Sequence, residues 1–202
     1  MPVMNYAKLH EIRLGIKPIG KSKVAAERDT AFFIAIEDLI EHPVVLSSNL
    51  IMHHGWTSCY KHMYNVAYYS YKMCKFLKLD WRAAARGAML HDLYLYNWHK
   101  EVGYFKEFIK GHHWKHPKIA LENASRHFDL TEKEKDIILN HMWPITVKVP
   151  KYKETYIVSF ADDICCFMEL FQSVYMKLKR MLKIKKKRKY RRKIGSMSNI
   201  GA

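Results

Sequence analysis

This chain predicts an all-α bundle followed by a basic C-terminal tail, on three observations. From residue 28 onward apolar residues recur every three or four positions and rarely every two, which is the period of helices. Helix start signals stand at Asp80 and in Thr131-Glu132-Lys133-Glu134, where side-chain oxygens can satisfy the orphan N–H groups of a first turn. No segment alternates as a strand would, and no internal repeat is found.

The elements follow in order. Ala31, Phe32, Ile34, Ala35, Leu39 and Ile40 predict a helix over 30–41, stopped by His42-Pro43. The stripe Met63, Val66, Ala67, Ser70, Met73, Cys74 and Leu77 predicts a second helix after Thr57-Ser58. A third starts at Asp80 with Ala84, Gly87, Ala88 and His91 on one face. A short helix is expected over 101–110, and another over 117–127 with Pro117 as its first residue. The Thr131–Glu134 box opens a helix that ends before Pro144. A Lys- and Pro-rich loop covers 143–153, and the last core helix runs over about 154–172.

Composition bounds the class. The 202 residues suffice for one domain with a full core, and 49% apolar with 13% aromatic content describes a globular chain. No run of about 18 apolar residues is available to cross a membrane. The start lacks an apolar signal region, so a cytoplasmic protein is expected. Cys59, Cys74, Cys165 and Cys166 lack CxxC spacing and read as reduced core thiols. The net charge is +16, but the segment after Gln172 holds twelve Lys or Arg and no acid. The domain is therefore expected over 1–172, with a basic tail over 173–202, partly helical or disordered. Its 177–193 stretch invites weak contact with nucleic acid or an anionic membrane, with Leu178, Met181, Leu182 and Ile184 giving it some amphipathicity.

Six residues of metal-ligand type lie within the helical pattern: His62, His91, Asp92, His116, His141 and Asp162. A buried helix face has little use for repeated imidazoles and carboxylates, since isolated polar groups there cost roughly 1–3 kcal/mol each. His91 follows Gly87 and Ala88, His141 follows Ile137 and Ile138, and Asp162 lies between Val158 and Cys165, so helical spacing turns each inward. Asp163, about 100° further round, is expected outside. A shared metal removes the burial cost, and mixed imidazole and carboxylate ligands suit first-row divalent ions. His112 and His113 are alternatives to His116, and His53, His54 and His99 lie near the candidates in sequence.

In this order the residues resemble the HD-domain metal-dependent phosphohydrolases, whose signature is His…His-Asp…Asp on a helical core. The match rests on His62 in Tyr-Lys-His-Met-Tyr-Asn-Val-Ala, on His91-Asp92 in Met-Leu-His-Asp-Leu, and on Asp162 in Ser-Phe-Ala-Asp-Asp. The two added histidines of binuclear members are matched by His116 in Lys-His-Pro-Lys-Ile-Ala and His141 in Ile-Leu-Asn-His-Met-Trp-Pro. The Gly-Tyr-Pro motif of the cyclic-di-GMP-cleaving branch is absent, so that substrate is not expected.

The resemblance implies a division of labour. One metal would take His62, His91, Asp92 and Asp162; a second would take His116 and His141, with Asp92 bridging as the catalytic carboxylate. One or two divalent ions are expected, from Mn, Fe, Co, Zn, Ni or Mg. Two ions about 3.5–4 Å apart would share a hydroxide and clamp a phosphoryl group. The implied activity is hydrolysis of a small phosphorylated substrate such as a nucleotide or other phosphoester. The alternatives are a di-iron HD-fold oxygenase and a non-enzymatic helical module that binds RNA or membrane through its tail.

Overall fold

The computed structural model describes residues 29–53, 57–95 and 112–198, with side chains over 29–53, 57–95 and 114–182. Seven α-helices form among these residues. They are α1 (Thr30–Ile40), α2 (Pro43–Ser47), α3 (Cys59–Phe76), α4 (Trp81–Leu90), α5 (His112–His127), α6 (Glu132–Asn140) and α7 (Lys153–Ser198), with a 3-10 turn at Ser48–Leu50. No strand forms among the described residues. A single antiparallel bridge pairs Met52 with Ser58.

Local chemistry sets the helix starts. Ser58 accepts from the Lys61 N–H to open α3, and Asp80 accepts from the Ala83 N–H at 3.1 Å to open α4. Thr131 and Glu134 form the reciprocal box of α6: the Thr131 N–H donates to Glu134 Oε2 at 2.7 Å, and the Glu134 N–H donates to Thr131 Oγ1 at 3.3 Å. His42-Pro43 ends α1 as expected but also begins α2, where His42 Nδ1 accepts from the Val44 N–H and Pro43 is the first helical residue.

Two helix boundaries differ from expectation. α5 begins at His112, not at Pro117, which sits inside it. A proline there removes only one backbone donor, so the turn upstream survives and carries His116 into the core, where it is 4% exposed. α7 does not stop near residue 172: it runs from Lys153 to Ser198 with no break at the expected start of the tail. No Gly or Pro interrupts it before Gly195, and Lys and Arg are good helix formers. The helix expected over 101–110 lies outside the described residues.

The small residues of α4 explain its central position. Ala84, Ala85 and Ala88 are fully buried, and α4 packs against α1, α3, α5, α6 and α7. Opposite Gly87 the approach is closest, since a Cβ built there would stand 2.7 Å from Ile137 Cγ2 and 2.9 Å from Ile137 Cβ. Arg86, on the same helix, ties three elements together. It makes a fork to Asp38 at 2.5 and 2.9 Å, reaches the Ala35 carbonyl at 3.0 Å, and pairs with Glu134 at 2.8 Å. Asp136 of α6 accepts from the Lys151 and Tyr152 N–H groups and from Thr155 Oγ1, which pins the start of α7.

Gly87→Ala should destabilise the fold. The added methyl meets the branched carbon of a fully buried isoleucine on another helix, and overpacking of this kind costs about 1–3 kcal/mol. The better helix propensity of Ala offsets at most about 1 kcal/mol of this. Urea unfolding should show a lower midpoint at unchanged slope.

Candidate metal centre

Two of the buried histidines occupy equivalent positions. His91 is the C-cap of α4 and His141 is the C-cap of α6. Each ring turns back on its own helix: His91 Nδ1 lies 2.7 Å from the Ala88 carbonyl and His141 Nδ1 lies 2.9 Å from the Ile138 carbonyl. The last carbonyls of a helix lack intrahelical donors, so an N–H there is well matched. Nδ1 then holds a proton, and Nε2 is turned toward the interior. Ser159 of α7 donates to the His141 carbonyl and fixes this cap from the other side.

His62, in the middle of α3, gains the same orientation from a different partner. Its Nδ1 lies 3.3 Å from both carboxylate oxygens of Glu169, and its Nε2 lies 2.8 Å from Asp162 Oδ1. Both acids belong to α7, which presents them on one face seven residues apart. Asp163, as expected, is exposed.

Asp92 follows the α4 cap and stands between two groups of imidazoles. Its backbone carbonyl is held by the Tyr94 N–H at 2.9 Å and by the Cys59 thiol at 3.2 Å. Asp92 Oδ1 faces His116 Nε2 at 3.3 Å and His141 Nε2 at 3.7 Å. Asp92 Oδ2 faces His53 Nε2 at 3.1 Å and His91 Nε2 at 3.7 Å. His116 and His141 approach each other to 3.0 Å through their Nε2 atoms.

The structure therefore brings all six expected residues into one buried cluster. His62 and His91 are fully buried, and Asp162, the most exposed of the six, reaches 9%. Donor atoms within 4.8 Å of one another form the trios His62/His91/Asp92, His91/His141/Asp162 and Asp92/His116/His141. Two residues join that the sequence reading did not assign. Glu169 was not considered, although its helical spacing from Asp162 and Cys165 places it inward. His53 was only a neighbour in sequence; its N–H donates to the Thr57 carbonyl at 2.9 Å, and its ring is stacked on His62 at 3.8 Å between centroids. His54 and His99, and the side chains of His112 and His113, lie outside the described residues.

Electrostatics keep the carboxylates charged. Burial would raise Asp92, but His91, a hydrogen bond from His53 and the nearby His116 hold its carboxyl well below the usual range. Burial is likewise outweighed at Asp162 by His62 and His91, and at Glu169 by His53 and His62, which hold Glu169 down to about 2. His141 goes the other way: burial and its neighbours His91 and His116 push it down to about 3, so the ring stays neutral. A neutral imidazole and an ionised carboxylate are the forms in which these groups bind a metal.

Two atoms test the fit directly. His91 Nε2 and Asp92 Oδ1 are buried without a hydrogen-bond partner, and both point into the trios. Burying such atoms unsatisfied costs about 1–3 kcal/mol apiece, which a divalent ion would recover. The donor set fits the group.

Residues 59–165, just over half of the chain, match the family model of the HD domain. The chain belongs to the HD-domain family. No curated protein and no solved structure matches it significantly. HD-domain proteins are generally metal-dependent hydrolases of the phosphohydrolase type, and the matched span holds all six residues expected from the sequence. Glu169 and His53 fall outside that span.

Asp162→Asn should abolish tight metal binding, whereas Asp163→Asn should leave it near wild type. Glu169→Gln should weaken affinity by about tenfold, because the amide supports the His62 ring less than the carboxylate does. Metal analysis after dialysis against a graded chelator checks all three.

Metal uptake should depend on pH. Burial would lower the His62 pKa, but hydrogen bonds to Asp162 and Glu169 push it up to about 10, so an ion must displace that proton. Affinity should rise about tenfold per pH unit for each proton displaced. The metal-free fold has the opposite sense. Its share of stability from this proton is complete below the unfolded value of 6.5 and is lost as pH rises through about 10. Competition titrations between about pH 6.5 and pH 8.5 check the first slope; a flat affinity would mean that His62 binds no displaceable proton.

Proposed function

We propose that the protein is a metal-dependent phosphohydrolase that cleaves a phosphoester or nucleotide with one or two divalent ions. The observation that carries this reading is the position of Asp92, one oxygen toward His116 and His141 and the other toward His91 and His53. His116 and His141 on one side of Asp92, and His62, His91 and Asp162 on the other, would hold the ions. When bound, the ions would lower the pKa of water toward neutrality and offset the charge of a phosphoryl group.

The residues of the chain supply orientation and charge. His91 and His141 keep Nε2 aimed inward through their Nδ1–H bonds to Ala88 and Ile138. His141, held neutral, has no proton to shed there, whereas at His91 the carboxylates of Asp92 and Asp162 outweigh burial and raise the pKa. Glu169 orients His62, and His53 steadies Asp92. The ionised Asp92 and Asp162 give the centre the negative charge that selects a cation. The thiols near the cluster do not suit covalent attack: burial pushes those of Cys59, Cys165 and Cys166 up, so they stay protonated. Water is the nucleophile of this reading.

The test is phosphate release from a panel of nucleotides and small phosphoesters by metal-loaded protein, run beside oxygen consumption after anaerobic loading with iron. Phosphate release is expected, and Asp92→Ala should reduce it to background. His116→Ala and His141→Ala should each lower the bound metal from about two ions to about one and slow turnover, with the fold retained. Oxygen consumption without phosphate release would identify an oxygenase instead.

A further inference from the structure

α7 is two-faced. Asp162, Cys165, Glu169 and Ser173 are buried on one side, where the first and third of them serve the centre. On the opposite side Phe167, Phe171, Val174, Leu178, Met181 and Leu182 are each between one-half and about seven-tenths exposed. The first five are spaced by four, three, four and three, which keeps them on one stripe of the helix, roughly 21 Å long. Single exposed apolar residues are ordinary, but a contiguous row that includes two phenylalanines marks an interaction surface. Asp163, exposed one turn earlier, bounds the stripe at its start.

The same helix continues into charge. Lys177 to Lys193 holds twelve Lys or Arg and no acid, and the helical backbone runs unbroken through this stretch to Ser198. An apolar face joined to a dense cationic segment is the composition of helices that lie in a membrane interface. No helix among the described residues is long and apolar enough to cross a bilayer, so a surface-lying mode is the one available.

We propose that α7 docks the protein on an anionic lipid surface, with the Phe167–Leu182 stripe in the acyl boundary and the basic segment on the headgroup phosphates. Charge complementarity selects this occupant. A second copy paired through the stripe would offer the basic segment almost no acid, because of the four acids in α7 only Asp163 is exposed. An RNA strand would match the cations but leave Val174, Leu178, Met181 and Leu182 without a hydrocarbon partner. A bilayer meets both demands. The reading is independent of the reaction proposed for the centre.

Full-length protein is sedimented with vesicles of phosphatidylcholine alone and with vesicles containing about one-third phosphatidylglycerol. Binding to the anionic vesicles should be at least about tenfold tighter, since each cation near such a surface contributes about fivefold. Phe167→Ser/Phe171→Ser/Leu178→Ser should weaken it by about tenfold or more, and Lys185→Gln/Lys186→Gln/Lys187→Gln by at least as much, with metal content unchanged. If the serine variant melts lower than the parent, Met181→Ser/Leu182→Ser replaces it, since both positions lie beyond Ser173, the last buried residue among those described. Three results would overturn the proposal. One is no preference for anionic vesicles. Another is vesicle and single-stranded RNA binding of equal strength, neither changed by the serine substitutions. The last is a concentration-dependent dimer that ignores vesicles and is dissolved by those substitutions.

Discussion

Three ionised carboxylates in the interior set the terms for the rest of the structure. Asp92, Asp162 and Glu169 are almost wholly buried, and each uncompensated charge of this kind costs several kcal/mol. Imidazoles repay part of that cost. His53 and His62 lie against Glu169, His62 against Asp162, and His53, His91 and His116 against Asp92. The repayment is incomplete, because His91 Nε2 and Asp92 Oδ1 still lack a hydrogen bond. A fold that keeps acids and orphaned donors together at its centre has an interior built for cations. The proton that His62 holds so firmly stands where a metal would act.

Helix ends convert that demand into geometry. α4 and α6 stop where a ligand is needed, and each spends an unpaired carbonyl of its last turn on the Nδ1–H of the capping histidine. Gly87 lets Ile137 come close where α4 packs against α6, and the caps of the two helices converge. The His91 and His141 rings consequently meet edge to face with centroids 4.8 Å apart. The missing side chain at position 87 is thus linked to the spacing of two donors that belong to different helices. Tautomer, ring direction and separation all follow from backbone geometry, without dedicated side-chain partners.

Much of this was legible in the sequence, for reasons that also explain the misses. Periodicity and capping chemistry are local: α1 begins where the apolar period starts, and α3, α4 and α6 begin where Ser58, Asp80 and Thr131 suggest. The inward direction of His91, His141 and Asp162 follows from helical arithmetic on neighbours of known character. Pro117 misled because a proline can open a helix or sit within its early turns, and the burial of His116 decides between them. α7 ran past its expected end because charge was read as a boundary, although nothing in that composition breaks a helix. His53 was unreadable as a member of the cluster. It lies outside the helices, where no period reports a face, and the neighbouring Met52–Ser58 bridge places it. Glu169 was readable, two turns beyond Asp162 on the same face.

α7 couples the two parts of the molecule. Its inner face sends Asp162 and Glu169 into the cluster, while its outer face carries the apolar stripe, and no glycine or proline separates them. A helix with side chains is about 10–12 Å across, so a surface against the outer face lies about that distance from the carboxylates on the inner one. Rotation of α7 about its axis would withdraw both acids from His62 as it moved the stripe, so the two faces cannot be adjusted separately. Asp136 at its start and Ser159 at the α6 cap resist that rotation. The rigidity that positions a carboxylate for a metal also fixes the angle at which the protein meets whatever covers Phe167 and Phe171.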